Sequence, residues 1–304
     1  MTPEERAAIE NGIWLCATHS VLIDRDEATY TVEVLRAMRA AHEAAMALEQ
    51  ARGTRLDFGD DLLALGPHVV CTGDVVHFEA TSWVVRLTHF VIGDFNQLLR
   101  LVDDFDRLKP SERYVLSERI GDGRVLLAAP KLSRSAAGYE LICRVAPSVS
   151  REDARRMGSD IKLSPDTDMS LTATGSIARV SGVEAFEQFV FNCLSVQRGE
   201  MPFAPTYGVR FLEYVRTYAD TPWLGRLMQL EVIRQAAIPH QDHLTGRSYT
   251  PLRCVRTVRS VEVLAHHPER KRIEMRLHFD VEGVGDWNKT YMVFLPYDLP
   301  WAPT

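Results

Sequence analysis

Cysteine is scarce in this chain and never paired by spacing. Cys16, Cys71, Cys143, Cys193 and Cys254 stand singly, with no CxxC and an odd count. That excludes a disulfide framework and reads as reduced thiols filling cores in a protein that folds in a cytosol. Long apolar runs are lacking too. The first, Ile13 to Ile23, is interrupted by His19 and ends at Asp24, after an acidic start at Met1-Thr-Pro-Glu-Glu. Neither a signal peptide nor a membrane span is expected from it. There is no internal repeat and no low-complexity tract. Basic charge is not in excess: 35 Lys+Arg against 41 Asp+Glu leave a net charge of −6. Non-specific binding to nucleic acid is therefore disfavoured.

What is present is ordinary globular composition, 46% apolar and 25% charged over 304 residues, enough for two cores. The charge is uneven. Residues 1–150 hold 16 Lys+Arg and 22 Asp+Glu, whereas residues 151–304 hold 19 of each. Together with a polar, charged stretch from Pro147 to Thr167, this predicts an N-terminal domain over 1–150, a linker over 151–167 and a second domain over 168–304. The fold class expected is α+β in both.

In the first domain, Thr29 to Arg52 is rich in strong helix formers, and Leu35, Met38, His42, Ala45 and Leu48 mark one face, with Gly53 placed to end the helix. Pro67–Phe78 and Trp83–Ile92 are strand-like, being β-branched and aromatic. Asp94 is placed to cap a helix bearing Leu98, Leu101, Phe105 and Leu108, which Pro110 stops. Gly121-Asp122-Gly123 between two apolar runs is a hairpin signal, and Tyr139–Val145 a further strand. It lacks the flanking context and lysine of a phosphate loop.

In the second domain, Ser170–Val180 is extended and broken by Gly175. Ser181 is placed to cap a helix over Val183–Val196, whose apolar face holds Val183, Phe186, Val190 and Leu194. Arg198-Gly199 ends it, and Pro202 and Pro205 shape a loop closed by Tyr207-Gly208. Thr221-Pro222 opens a second helix running to about Pro239. Then Val261, Val263 and Ala265 alternate with polar residues, as do Ile273, Met275, Leu277, Phe279 and Val281 beyond a turn at His266–Lys271. That is a two-residue period, a hairpin with one buried face. Lys289–Leu295 is a last strand. The expectation is two helices packed on a small antiparallel sheet.

This order, with Arg198-Gly199-Glu200 followed by Tyr207-Gly208, resembles the sheath-initiator family of contractile phage baseplates, once labelled lysozyme-like. The resemblance runs from Asp168 to Pro300 and is best over 168–210. Thr250-Pro251-Leu252-Arg253 stands where that family carries Glu-Pro-Arg, and residues 238–250 look like an insertion. The resemblance implies a structural wedge component of a phage tail or related contractile injection machine, located in the virion and assembled in the host cytoplasm. Its implied partners are wedge and hub proteins and tail sheath subunits, with no nucleic acid and no membrane insertion. The hairpin would offer an edge strand to sheath subunits. Partner contacts are accordingly expected at Arg198, Glu200, Tyr207, Val263, Ile273, Met275, Arg276, Leu277, His278 and Phe279. Residues 1–150 lie outside the resemblance and read as an adaptor.

No catalytic residue, metal or cofactor is expected, since no complete constellation is visible. The competing readings are a metal-dependent hydrolase using His240, Asp242 and His243, and a non-contractile tail component. The first has two histidines and a carboxylate but no third distant ligand.

Overall fold

The computed structural model describes residues 2, 23, 25, 26, 28–40, 43, 60–135, 138–164, 169–202, 204–241 and 246–296. The chain forms two compact units, Met1–Phe58 and Gly59–Thr304. It is mixed α+β, with antiparallel sheets. Among the described residues no helix is long and apolar enough to cross a membrane.

In the first unit, residues 32–40 are helical. Thr31 starts this segment two residues later than the composition suggests, its hydroxyl accepting the Val34 N–H at 3.4 Å. Of the expected apolar face, Leu35 is half-buried and Met38 exposed; His42, Ala45, Leu48 and Gly53 lie outside the described residues.

The second unit opens with a seven-stranded antiparallel sheet. Its strands are β1 (Asp61–Leu65), β2 (Val69–Phe78), β3 (Ser82–Ile92), β4 (Tyr114–Ser117), β5 (Asp122–Val125), β6 (Lys131–Ser135) and β7 (Gly138–Arg144). The spatial order is β5-β4-β1-β2-β3-β7-β6. β1 is buried along its whole length. Leu62 and Ala64 enter one core, Leu63 and Leu65 the other. A strand covered on both faces reads as a continuous apolar run rather than an alternation. Helix α1 (Phe95–Asp103) covers one face with Leu98 and Leu101. It is capped as expected by Asp94, which accepts the Gln97 N–H at 2.8 Å.

Three helices follow: α2 (Gly182–Ser195), α3 (Phe211–Tyr218) and α4 (Trp223–Ala237). Ser181 does occupy the N-cap of α2, but its side chain makes no capping bond. α3 is a third helix where two were expected. Three strands complete the unit, β12 (Val255–His267), β13 (Arg272–Val281) and β14 (Gly285–Phe294), paired antiparallel in that order. Two-residue pairs β8 (Asp160–Ile161) with β9 (Arg179–Val180), and β10 (His240–Gln241) with β11 (Ser248–Tyr249), lie between.

The boundary expected at 150 does not exist as a gap in packing. α4 packs on β12 and also on β1, β4 and β5. One core therefore contains Leu62, Val70, Tyr114 and Leu116 together with Leu227, Ile233, Val258 and Phe279. The first part of the stretch read as a linker, residues 151–157, is bound into this core. Ala154 is fully buried and Met157 nearly so. The Arg151 guanidinium, with a side chain 6% exposed, donates to the Ala236 carbonyl at 2.6 Å. Burial presses the pKa of Arg151 below its usual range. Arg151, Ala154 and Met157 thus fasten the start of this stretch to the core, whereas Gly158 to Lys162 are exposed.

Candidate functional site

The loop between α2 and α3 carries the residues on which the family resemblance rests, and it is held from within. Arg198 N–H donates to Val209 O, and Val209 N–H to Val196 O, each at 2.8 Å. Glu200 accepts the Gln197 N–H at 2.8 Å. The Arg198 guanidinium pairs with Glu112, before β4, at 3.1 Å. Gly208 has φ +93°, and a Cβ there would stand 2.6 Å from Val196 O; only glycine fits. Its carbonyl accepts from two buried side chains of α4, Arg234 and Gln235.

Tyr207 lies inside this loop. Its hydroxyl is 3.6 Å from Cys193 Sγ and its ring stands edge-on to His240 at 5.2 Å. Burial first, then Cys193, push its phenol well above the ordinary range. Arg198 and Tyr207 are therefore engaged within the chain. Glu200 is exposed, although its carboxylate caps the Gln197 amide. The expectation that all three face a partner is corrected for Arg198 and Tyr207.

The sheet β12-β13-β14 divides the other expected contacts by face. Ile273, Met275, Leu277 and Phe279 are fully buried, and Val263 packs against the same core. Buried side chains hold the sheet to α4 and touch nothing outside. Arg276 and His278 lie on the opposite face, in a lattice of cross-strand ion pairs: Arg276–Glu262 at 2.9 Å, His278–Asp286 at 2.6 Å, Arg259–Asp286 at 3.5 Å. The His278 hydrogen bond holds the Asp286 carboxyl below the usual range.

β13 is the central strand. Arg276 is opposite Glu262 on one side and Thr290 on the other. Its backbone is satisfied by two neighbours, so the idea that β13 offers an edge to a partner is wrong. The edges are β12 and β14. The first half of the β12 edge is engaged: Val258 N–H donates to Gly121 O at 2.9 Å, and Val261 N–H to the Gln229 side chain at 3.3 Å. The approach at Gly121 is so close that a Cβ would lie 2.1 Å from Val258 O.

β14 differs. Leu295 N–H turns inward to Lys271 O, and Phe294 N–H turns outward to the Ser195 hydroxyl at 3.3 Å. Alternation then points the N–H and C=O of Asp286, Asn288, Thr290 and Met292 away from β13. Among the described residues, none of these four has a backbone partner outside the sheet. Along this edge runs a groove of about 470 Å³. Its far wall is the 162–164 segment and its floor includes Phe191 of α2 and Tyr291. Lys162 pairs with Glu184 at 2.7 Å, and Lys289 with Glu187. Arg272 lies over the Phe294 ring at 4.7 Å and has no carboxylate partner among the described residues.

The sequence reading missed this edge. The signal was available: Lys289–Leu295 follows a hairpin after a short glycine turn, which makes it the outer strand of a meander.

At the proposed metal cluster, His240 is nearly buried between the Tyr207 and Tyr249 rings. Asp242 and His243 lie outside the described residues. Among the described residues no group of three or more His, Cys, Asp or Glu side chains is placed to hold a metal.

Comparison with protein-family models, with curated proteins and with solved structures finds no match for this chain.

Proposed function

We propose that this protein is a structural component of a contractile-tail baseplate or a related injection machine, one that joins the wedge around the hub and anchors or nucleates the sheath. The observation that carries the reading is the order of parts from Arg179 to Phe294: helix, folded-back Arg-Gly-Glu loop with Tyr-Gly, helices, and an antiparallel three-stranded sheet. One edge of that sheet keeps unpaired backbone groups. A strand edge of this kind supplies directional bonding to any chain that can extend beside it, which suits assembly by strand addition. The partners in this reading are wedge and hub proteins and sheath subunits, and the location is the virion. The seven-stranded sheet shares a core and a compact unit with the three-stranded sheet, so we read residues 59–150 as an extension of it, giving the wedge a second face.

The test is a producing strain in which residues 168–304 are deleted, with particles purified and examined by electron microscopy and mass spectrometry. The expected result is tail tubes without sheath, and the intact protein present in wild-type particles. Sheathed tails in the deletion strain, or absence of the protein from purified particles, defeats the proposal.

A further inference from the structure

We infer that β14 is the strand-accepting edge of this molecule and that its occupant is an extended polypeptide arm with alternating apolar side chains and an acidic residue at the Arg272 end. The argument begins with elimination. β13 is paired on both sides, and β12 gives Val258 and Val261 to internal acceptors. The register of β12 is also shifted at three places, whereas β14 pairs without a shift and presents a regular series of outward amides and carbonyls at Asp286, Asn288, Thr290 and Met292. Such a series matches an incoming strand residue for residue.

The surroundings specify what the strand carries. Side chains of an added strand alternate between faces. Those on the α2 side fall into the groove over Phe191, Tyr291 and Leu163, which favours apolar residues. Those on the other side meet the lattice of Arg276, His278 and Asp286 and are polar. Lys162 and Lys289 are each neutralised by a glutamate, whereas Arg272 has no carboxylate partner among the described residues. The groove therefore carries net positive charge at the end where β14 closes against Ser195. The 162–164 segment lines the groove together with β14, so an arm lying along the edge meets both. The inference rests on the assembly reading only for which protein supplies the arm.

The test uses the full chain and fluorescein-labelled nine-residue peptides of alternating valine and threonine, carrying glutamate at the first or the last position, against identical lysine peptides. Saturable binding is expected for a glutamate peptide, weaker by roughly tenfold for its lysine counterpart. The Arg272→Gln variant should lose that preference. Hydrogen exchange should slow at Asn288, Thr290 and Met292 and not along β12. Thr290→Pro should reduce binding by at least roughly tenfold while folding is kept, because that N–H takes no part in the β13 ladder and proline is tolerated at such edge positions. No saturable binding by any peptide, or protection elsewhere in the wild-type chain, overturns the inference. So does equal binding by a folded Thr290→Pro chain. A chain that binds peptide at β14 but is missing from purified tails removes the baseplate reading and leaves this edge standing. A chain found in tails whose β14 binds no peptide does the reverse.

Discussion

Replacing Arg234 by methionine should be among the most damaging single changes in the molecule. Arg234 is 8% exposed and Glu231, one turn earlier on α4, is 4% exposed. Two guanidinium nitrogens reach Glu231 Oε1 at 2.7 and 3.1 Å, and one also donates to Gly208 O. Burial alone lowers the pKa of such an arginine, but Glu231 outweighs it and the group is held above its ordinary range. Arg234→Met removes the cation that pairs directly with the buried Glu231 carboxylate. An orphaned buried charge of this kind costs about 3–5 kcal/mol. With a urea slope of roughly 3 kcal/mol per M for a unit of this size, the midpoint should fall by about 1–1.7 M. The paired replacement Glu231→Leu with Arg234→Met should recover most of that loss, since apolar isosteres of a buried pair are often neutral. It cannot recover everything, because Gly208 O loses Arg234 as a donor and is left with Gln235. Urea denaturation followed by tryptophan fluorescence reads all three chains. If Arg234→Met costs less than about 1 kcal/mol, or the double replacement is worse than the single, the pair is not the buried lock described.

Two further outcomes follow from the shared core and the buried thiols. A fragment spanning 59–304 should unfold in a cooperative transition. A fragment spanning 160–304 should be molten or insoluble, since it exposes the α4 surface that packs on Leu62, Tyr114 and Leu116; a sharp transition from the shorter fragment would refute this. Burial pushes Cys71, Cys143 and Cys193 up to about 12 from 9.0. The neutral thiol is the folded form, so the unfolded chain ionises first; this stability is complete below pH 9 and is lost as pH rises toward 12. Each thiol should contribute about 1.4 kcal/mol of loss per pH unit in that window. Urea midpoints between pH 8 and 10.5 should fall more steeply for the wild-type than for a variant with all three changed to alanine, and equal slopes would count against it.

Elements whose periodicity is imposed by one solvent face were legible. β13 was read from its alternation, and Ile273, Met275, Leu277, Phe279 and Val281 are all fully buried. The Asp94 cap was legible because its chemistry is local. β1 was not, because Leu62–Leu65 faces a core on each side and shows no period. β6, Lys131–Ser135, was missed because a short polar edge strand has neither apolar run nor alternation of hydrophobics. α3 was missed because Arg210 at its start makes no side-chain capping bond and its eight residues are too few to establish a face. The boundary at 150 failed for a more general reason. Net charge and polarity describe surface, whereas a domain boundary is a property of packing. Gln229, Glu231, Arg234 and Gln235 make α4 look amphipathic in sequence, although all four are buried between two sheets.

The same distinction explains why the residues first expected at an interface and those that border the accessible edge are nearly disjoint. A two-residue period identifies which side chains leave the core, and it correctly put Arg276 and His278 on the solvent face. It carries no information about which strand lies outermost, since that depends on what docks beside each edge. Here the decision is made far away in sequence. The turn at Gly121 closes the β12 edge at Val258, and Gln229 of α4 reaches Val261. Both contacts join the seven-stranded sheet and α4 to the three-stranded sheet, so the N-terminal half of this unit determines the direction in which the C-terminal sheet can grow. Growth at β12 would require breaking the shared core; growth at β14 requires only that a strand enter the groove. A free edge is ordinarily an aggregation hazard. On β14 the hazard is restrained by Asp286 and Lys289 along the strand and by the 162–164 wall across the groove. Restraints of this kind select for a chain whose side chains suit the groove, which is what separates a binding edge from an indiscriminate one.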